Sequence, residues 1–351
     1  MTSIVLVGAQ GAVGRRAASA LVNHPAVDRL VLVDRDRIEP VDAPAGTRVE
    51  YARVDLAVDD LDAPLQGADV VAHLATSFTG AHDTHDTADF DNAITEALLE
   101  AADRTDVAHV VLVSSAMVYG AWSDNPIPLT EDAPVRPVSE LPFAVAKATQ
   151  ETLVRDWRDA RPGRTATLLR PTVALAEQGA GWAARALRRA AGLATGDTDP
   201  PHQFVHLDDV ASAVALACVA CLDGAFNVAP DGWIPPERMR ELAGGAPRLR
   251  VPERVADQVA RVRWALGLTS DHPALVPYAS WSWVVANDRL KAAGWEPTSS
   301  NEATYVAGSN PAPWDEVTPQ RRQELALGAA GIAGVAAVAA LVQAWRRWLR
   351  G

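Results

Sequence analysis

Cysteine is nearly absent from this sequence, with two among 351 residues. Cys218 and Cys221 form a C-x-x-C pair inside a run, residues 210–222, that is typical of a helix. Two cysteines cannot form a disulfide framework, and there is no second pair to complete a four-cysteine metal site. We therefore interpret both residues as thiols buried in the core, with a C-x-x-C redox or metal site as the alternative.

Basic side chains are also in short supply. Lysine and arginine number 32 against 44 aspartates and glutamates, so the formal net charge is −12. A chain of this charge repels polyanions, which excludes nucleic acid as a partner. A small-molecule substrate, or no partner at all, is the expectation that remains. The oligomeric state is left open, with a homodimer as one alternative.

The start of the chain lacks the pattern of a secretory signal. The first predicted strand begins at Ser3, which leaves no space for a charged segment followed by an apolar one. We therefore expect the main domain in the cytoplasm. Apolar residues make up 48% and charged residues 22% of the sequence, as in an ordinary globular protein with a sizeable core.

The N-terminal segment carries a glycine pattern. An apolar run, residues 3–7, precedes Gly8, and Gly11 and Gly14 follow at intervals of three before a run typical of a helix. Glycines so placed allow a tight turn, a close approach of backbone N–H groups to a pyrophosphate, and packing of the helix on the sheet. An ordinary tight turn is the alternative interpretation.

Further runs typical of buried strands follow, at residues 29–33, 48–54, 68–74 and 107–113, with a helical run at 87–104. Strands that alternate with helices predict a parallel sheet with a ligand at the carboxyl ends of the strands. Asp34 ends the second strand, where an acidic side chain accepts hydrogen bonds from ribose hydroxyls. The predicted fold class is α/β: a Rossmann-like, doubly wound parallel sheet with a smaller α/β substrate domain and a C-terminal hydrophobic helix.

A longer set of motifs includes the three glycines, Asp34, Asp55-Leu56, His73-Leu74-Ala75, Asn92, Ser114-Ser115, Val118-Tyr119-Gly120, Arg170-Pro171-Thr172, Phe204 to Val210, Phe226-Asn227-Val228 and Gly294-Trp295. In order and spacing this set resembles the NAD-dependent epimerase/dehydratase family, the extended short-chain dehydrogenase/reductases, over about residues 3–305. The resemblance implies that a dinucleotide is bound by Gly8, Gly11, Gly14, Asp34, Asp55, Leu56, Ala75 and Lys147.

The resemblance also implies a catalytic set. The family uses a tyrosine as general acid/base, a lysine four residues later that holds the nicotinamide ribose, and a hydroxyl residue after the fifth strand that binds the substrate oxygen. Lys147 and Ser115 occupy the last two positions, but Phe143 replaces the tyrosine. A phenyl ring cannot transfer a proton, and loss of a positioned acid/base costs about 10²–10⁴ in rate.

Tyr119 and Glu140 are the candidate substitutes for the missing tyrosine. A packed turn for Tyr119 and a first-turn helix acid for Glu140 are the alternatives. Ala116-Met117 stands where sugar 4,6-dehydratases of the family carry an acidic pair, and His202 where its nucleotide-sugar enzymes commonly carry an arginine. The first departure disfavours the 4,6-dehydratase reaction. The second disfavours a nucleotide-sugar substrate, with another arginine in place of His202 as the alternative.

Asp34 favours NAD as the cofactor, because its carboxylate would repel the 2′-phosphate of NADP. Arg35 and Arg37 lie beside it and keep NADP open. No metal is expected. His82 and His85, near several aspartates, would be the place for one, but a solvated loop is the preferred interpretation.

We divide the chain into a dinucleotide-binding domain (1–173), a mainly substrate-binding region (174–305) with some segments returning to the sheet, a linker (306–324) and a hydrophobic helix (325–351). Residues 325–342 carry no charge, and tryptophans and arginines follow. This pattern suits a membrane span, a membrane-surface helix or a helix packed on protein. The cytoplasmic membrane is therefore the alternative location.

Five tryptophans fall in or beside the second region: Trp182, Trp233, Trp264, Trp281 and Trp283. They either line an apolar substrate cavity or pack in the core. Two functions remain open for the whole chain. One is an NAD(P)-binding epimerase or oxidoreductase for a hydroxyl or carbonyl substrate, with altered acid/base chemistry. The other is a catalytically inactive dinucleotide sensor or scaffold.

Overall fold

The computed structural model describes residues 2–44, 46–78, 84–190, 199–243, 253–266 and 272–308. Residues up to Gly308 belong to one compact unit. The helix predicted for 325–351 lies outside the described residues, as does the linker beyond Gly308. No helix within the described ranges is long and apolar enough to cross a membrane.

Seven of the strands form one parallel sheet. In chain order the strands are β1 (Thr2–Val7), β2 (Val27–Asp34), β3 (Arg48–Arg53), β4 (Val70–His73), β5 (His109–Val113), β6 (Thr165–Pro171), β7 (Val173–Leu175), β8 (Phe204–His206) and β9 (Gly224–Val228). The order across the sheet is β3-β2-β1-β4-β5-β6-β9. Its central strands are continuously apolar because helices cover both faces, and residues 4–7 are all buried. The predicted Rossmann-like sheet is confirmed.

The helices are α1 (Ala12–Val22), α2 (Asp62–Leu65), α3 (His85–Arg104), α4 (Pro142–Asp159), α5 (Trp182–Ala190), α6 (Leu207–Ala220), α7 (Pro236–Leu242), α8 (Glu253–Ala265), α9 (Val276–Ser280), α10 (Asp288–Ala292) and α11 (Asn301–Ala307). Helices α1 and α6 pack on one face of the sheet, with Leu21 and Val214 in its core. Helices α3 and α4 cover the other face, with Leu98 and Val154. The sheet grows in opposite directions from β1 and β4, which is the switch point where such sheets bind ligands.

The second half of the chain builds a smaller layer beside the end of the main sheet. Strands β7 and β8 pair in parallel, and α5, α9 and α11 contribute to a separate apolar cluster around them. Strand β9 returns to the main sheet and pairs with β6. The boundary predicted after residue 173 falls inside the compact unit and within β7, and it stays a prediction.

The prediction that both cysteines are buried was wrong for one of them. Cys218 is buried in α6, but Cys221 is exposed. Helix α6 ends at Ala220, and Cys221 follows it in a left-handed conformation with φ of 45°. The helix therefore ends two residues earlier than the sequence pattern indicates, and the second thiol lies outside the core.

A buried ion pair joins α4 to β6. Arg170 donates from Nε and Nη2 to the carboxylate oxygens of Glu151, at 2.8 and 2.6 Å. Ser114, directly after β5, donates to the same carboxylate at 2.7 Å. Burial alone would raise the pKa of Glu151, but the hydrogen bonds and charge of Arg170 lower it below its usual value. Three neighbouring elements are thus tied at one carboxylate.

Replacing Glu151 with alanine should leave the buried Arg170 without a counter-ion. We expect a loss of about 3–5 kcal/mol in the free energy of unfolding, measured by urea denaturation of the full chain. The control is Glu241→Ala, because the ion pair of Glu241 with Arg238 is exposed and should contribute less than about 1 kcal/mol. Equal losses in the two variants would contradict the structural role of the buried pair.

Candidate functional site

The turn between β1 and α1 leaves no room for side chains. Gly8 has φ of +85°, and a Cβ atom there would lie 2.7 Å from the backbone nitrogen of Ala75. A Cβ atom on Gly14 would clash with the carbonyl oxygen of Gly8. Helix α1 begins after Gly11 without a side-chain cap and with no acidic residue in its first turn. Its first N–H groups therefore present an uncompensated partial positive charge.

A first pocket, of about 300 Å³, lies at the carboxyl ends of β1, β2 and β4 and is named the Asp34 pocket. Its lining contains six of the residues predicted to bind a dinucleotide: Gly8, Gly11, Asp34, Asp55, Leu56 and Ala75. Asp34 accepts hydrogen bonds from the backbone nitrogens of Gln10 at 2.8 Å and Asp36 at 3.0 Å. Arg35 also lines this pocket. The carboxylate is thereby fixed beside the glycine turn.

A second pocket, of about 310 Å³, is named the Phe143 pocket. Gly8 and Gly11 line both pockets, so the two form one elongated cleft at the switch point. Gly14, Ser115 and Phe143 also line the second pocket. Its other walls are mainly apolar and include Leu74, Phe78, Met117, Val173, Trp182, Leu187 and Trp283.

Phe143 lies in the first turn of α4, at the position where the family pattern has tyrosine. Its ring packs edge-to-face on Phe78, with ring centroids 5.3 Å apart, and on Trp182, with centroids 6.0 Å apart. Edge-to-face packing is a favoured arrangement of aromatic rings. The position is therefore part of an aromatic wall, with no group that exchanges a proton.

Ser115 follows β5 and caps a short 3-10 turn, Ala116–Tyr119. Its Oγ accepts a hydrogen bond from the backbone nitrogen of Met117 at 3.2 Å. That contact uses oxygen as the acceptor and leaves the hydroxyl proton to be donated. Because Ser115 lines the Phe143 pocket, its hydroxyl is placed to meet an oxygen atom of a ligand there.

Lys147 lies one turn after Phe143 on α4, but it is buried and lines neither pocket as described. Its Nζ donates to Oε1 of Gln150 at 3.0 Å. Burial lowers the pKa of Lys147 to about 8, against the opposing influence of Asp91 and Glu151. The same burial, together with the charge of Lys147, lowers the pKa of His73 to about 3. His73 is therefore neutral beside the lysine at physiological pH.

Neither candidate substitute for the tyrosine lines the cleft. The Tyr119 hydroxyl is buried, donates to Oδ1 of Asn227 at 2.8 Å and accepts from Nη1 of Arg170 at 2.6 Å. Burial raises the pKa of Tyr119 to about 12. Glu140 is exposed and accepts from Ser139 at 2.8 Å, and this hydrogen bond lowers its pKa. This geometry favours the structural alternatives for both residues.

Asp91 is one of the aspartates near His82 and His85 in the sequence. It is buried on α3, accepts from Oγ1 of Thr76 at 2.7 Å and from the backbone nitrogen of Ser77 at 2.8 Å, and so holds the segment after β4. Spacing alone gave no signal for this contact. Within the described ranges no group of three or more histidine, cysteine or acidic side chains is arranged to hold a metal. His82 lies outside those ranges.

A parallel sheet of this order, with a glycine turn and a cleft at its switch point, defines a Rossmann-type dinucleotide-binding fold. The model of the NAD dependent epimerase/dehydratase family matches residues 4–229. The chain belongs to this family. The cofactor of the family is NAD, which agrees with the expectation drawn from Asp34.

Individual relatives are more distant. The N-acetyl-alpha-D-glucosaminyl-diphospho-ditrans,octacis-undecaprenol 4-epimerase of Escherichia coli O157:H7 is 28% identical over 194 residues, 54% of each chain, so the match spans about half the length of that curated relative. MoeE5, solved with UDP-glucuronic acid and NAD, superposes with a TM-score of 0.62 at 20% identity, over 87% of this chain and 97% of that one. The UDP-Glc/GlcNAc 4-epimerase of Campylobacter jejuni gives 0.62 at 17% identity, over 88% and 98%. At such identities these structures show the fold alone.

The depressed pKa of Lys147 predicts a pH dependence of stability. The pKa is about 8 in the folded chain, against a usual value of 10.5. Between these values the unfolded chain binds more protons, so the free energy of unfolding should rise with pH above about 8. Below that pH the lysine is charged in both states, and the cost of burying the charge is present in full.

The measurement is urea denaturation from about pH 8 to 10, comparing wild type with Lys147→Met. The difference in unfolding free energy, wild type minus variant, should increase with pH. Lys291→Met is the control, because Lys291 is half-exposed and paired with Asp231, which raises its pKa. For Lys291→Met the difference in unfolding free energy should stay constant between about pH 8 and 10. A flat difference for Lys147→Met would show that Lys147 keeps an ordinary pKa.

Proposed function

We propose that this chain binds NAD along its two pockets but lacks the proton transfer of its family, and that it acts as a dinucleotide-binding sensor or scaffold. The observation that carries the proposal is the ring of Phe143, which occupies the position of the family's catalytic tyrosine. Its contacts with Phe78 and Trp182 supply apolar surface there and no ionisable group.

The residues of the cleft fit a dinucleotide. Gly8 and Gly14 let the backbone approach a ligand closely, and the uncapped N-terminus of α1 suits a pyrophosphate. The carboxylate of Asp34 suits ribose hydroxyls and would repel the 2′-phosphate of NADP, with Arg35 as a neighbouring cation. The family pattern assigns the second ribose to Lys147, whose side chain is buried outside the described lining and donates one of its three N–H groups to Gln150.

The chemistry of the family requires two transfers. Bound NAD would supply a hydride acceptor for the carbon of a hydroxyl group, and the hydroxyl proton would need a base. Ser115 still offers a hydrogen bond to the substrate oxygen. Phe143 accepts no proton, and the absence of a positioned base lowers the rate by about 10²–10⁴. The chain would thus retain NAD binding while its turnover of a substrate is impaired.

Other groups are poorly placed to replace the tyrosine. Tyr119 is held by Arg170 and Asn227 in the core. Glu140 is exposed on the outside of the α4 N-terminus and paired with a neighbouring serine. Lys147, with a pKa of about 8, would suit proton transfer at neutral pH, but it lies behind the pocket wall and not in the described lining.

A slow epimerase or oxidoreductase is the second candidate function. It is supported by the retained Ser115 and Lys147, and by the 4-epimerase activity in the name of the curated relative. The alternative location at the cytoplasmic membrane through residues 325–351 stays a prediction, and the cytoplasm remains the proposed location for the dinucleotide-binding unit.

The glycine turn provides a test of NAD binding. Gly14→Ala should weaken NAD binding to the full chain at least about tenfold, because the added Cβ clashes with the carbonyl oxygen of Gly8 and displaces α1. The measurement is calorimetric titration with NAD and NADP. Ser19→Ala, an exposed position on the same helix, should bind as wild type does. Unchanged affinity in Gly14→Ala would be incompatible with NAD at this turn.

Restoring the tyrosine at position 143 tests the proposed lack of catalytic activity. Wild type should bind NAD without consuming UDP-glucose, UDP-N-acetylglucosamine or simple alcohols and ketones, followed by NADH absorbance and product analysis. Phe143→Tyr should gain activity on a member of this panel by about 10²-fold or more. Phe78→Tyr is the matched control, because it adds the same hydroxyl to the adjacent ring and should gain nothing. Turnover by wild type equal to that of Phe143→Tyr would overturn the proposal.

A further inference from the structure

The Phe143 pocket is unlike a site for a nucleotide sugar. Of the residues that line it within the described ranges, none carries a charge. A diphosphate brings negative charges that must be paired or hydrogen-bonded once water is removed. The N–H groups at the start of α1 suit the pyrophosphate of the dinucleotide and leave none for a second one.

Two of the five tryptophans singled out in the sequence line this pocket. Trp182 begins α5 and packs edge-to-face on Phe143. Trp283 packs in the same manner on Tyr278 at 5.3 Å, and its indole nitrogen donates to the Tyr278 carbonyl oxygen at 3.0 Å. The polar atom of Trp283 is therefore already satisfied, and its ring offers a ligand mainly apolar contact.

Small residues leave space beside these rings. The lining between β7 and α5 consists largely of glycine and alanine: Ala174, Gly179, Gly181, Ala183 and Ala184. The pocket volume of about 310 Å³ lies in the range of small-molecule sites. The nicotinamide end of NAD would share this volume, so the second occupant must be small.

Four hydroxyl side chains line the pocket: Thr76, Ser114, Ser115 and Thr172. Two of them donate to buried carboxylates, Thr76 to Asp91 and Ser114 to Glu151. The oxygen of Thr172 is buried and has no hydrogen-bond partner among the described residues. Ser115 and Thr172 are thus the two hydroxyls of the described lining that do not donate to a carboxylate, enough to hold a single oxygen atom of a ligand.

From these observations we infer that the Phe143 pocket binds a small, uncharged and largely apolar molecule that carries one carbonyl or hydroxyl oxygen, held by Ser115. The inference rests on the proposed function for the neighbouring NAD, but the affinity of the pocket for an apolar molecule does not depend on catalysis. Phe143 itself contributes to this affinity, because a phenyl ring is less costly to desolvate than a phenol.

The test is ligand binding to the full chain, with and without saturating NAD. The probes are three ketones of different shape, cyclohexanone, 2-tetralone and 2-undecanone, with UDP-glucose as the comparison, measured by calorimetry and tryptophan fluorescence. At least one ketone should bind saturably, and UDP-glucose should not displace it. Trp182→Ala should weaken this binding about tenfold or more, as truncation of an aromatic anchor does. Trp233→Ala, at a partly exposed tryptophan outside the pocket, should leave it unchanged.

Three results would overturn the inference. The first is that none of the ketones binds, the second is that UDP-glucose binds and displaces them, and the third is that Trp182→Ala and Trp233→Ala have equal effects. The NAD titration is read separately. A chain that binds a ketone but no dinucleotide would refute the proposed function and leave this inference standing.

Discussion

The buried ion pair of Arg170 with Glu151 fixes the position of α4 against the sheet. Neither side chain is more than 2% exposed, so no solvent compensates for a displaced charge, and the pairing geometry is closely constrained. Glu151 is on the same helix as Phe143 and Lys147. The register of that helix against β6 therefore determines which side chain reaches the cleft and which stays behind it. The aromatic wall and the buried lysine both follow from this constraint.

The arginine of this ion pair also holds Tyr119 in the core. Arg170 also holds the hydroxyl of Tyr119 and lies over its ring, 4.8 Å from the centroid. In this position Tyr119 lies outside the described lining of both pockets. The Asp34 pocket has the features of a dinucleotide site, while the described lining of the Phe143 pocket carries no charge. Cofactor binding and catalysis are separate properties of this fold, and under the proposed function this chain retains the first without the second.

Features that depend on local pattern were predictable from the sequence. The glycine turn, the strand that ends at Asp34, and the approximate bounds of the first five strands follow from periodicity and turn chemistry. The contacts of Phe143 with Phe78 and Trp182 were not predictable, because three separate segments meet there only in the folded chain. The hydrogen bonds of Tyr119 were likewise hidden, since its partners lie 51 and 108 residues away.

The uncapped N-terminus of α1 couples ligand binding to the stability of the folded chain. This helix has no side-chain cap and no acid in its first turn, so an anion bound there would supply an electrostatic complement that the helix itself lacks. An anion that docks there completes the helix as a capping residue otherwise would, and it stabilises only the folded state. The lifetime of such a protein would therefore follow the supply of its ligand. A bound dinucleotide would in this way contribute to the folded structure as one of its own capping residues would.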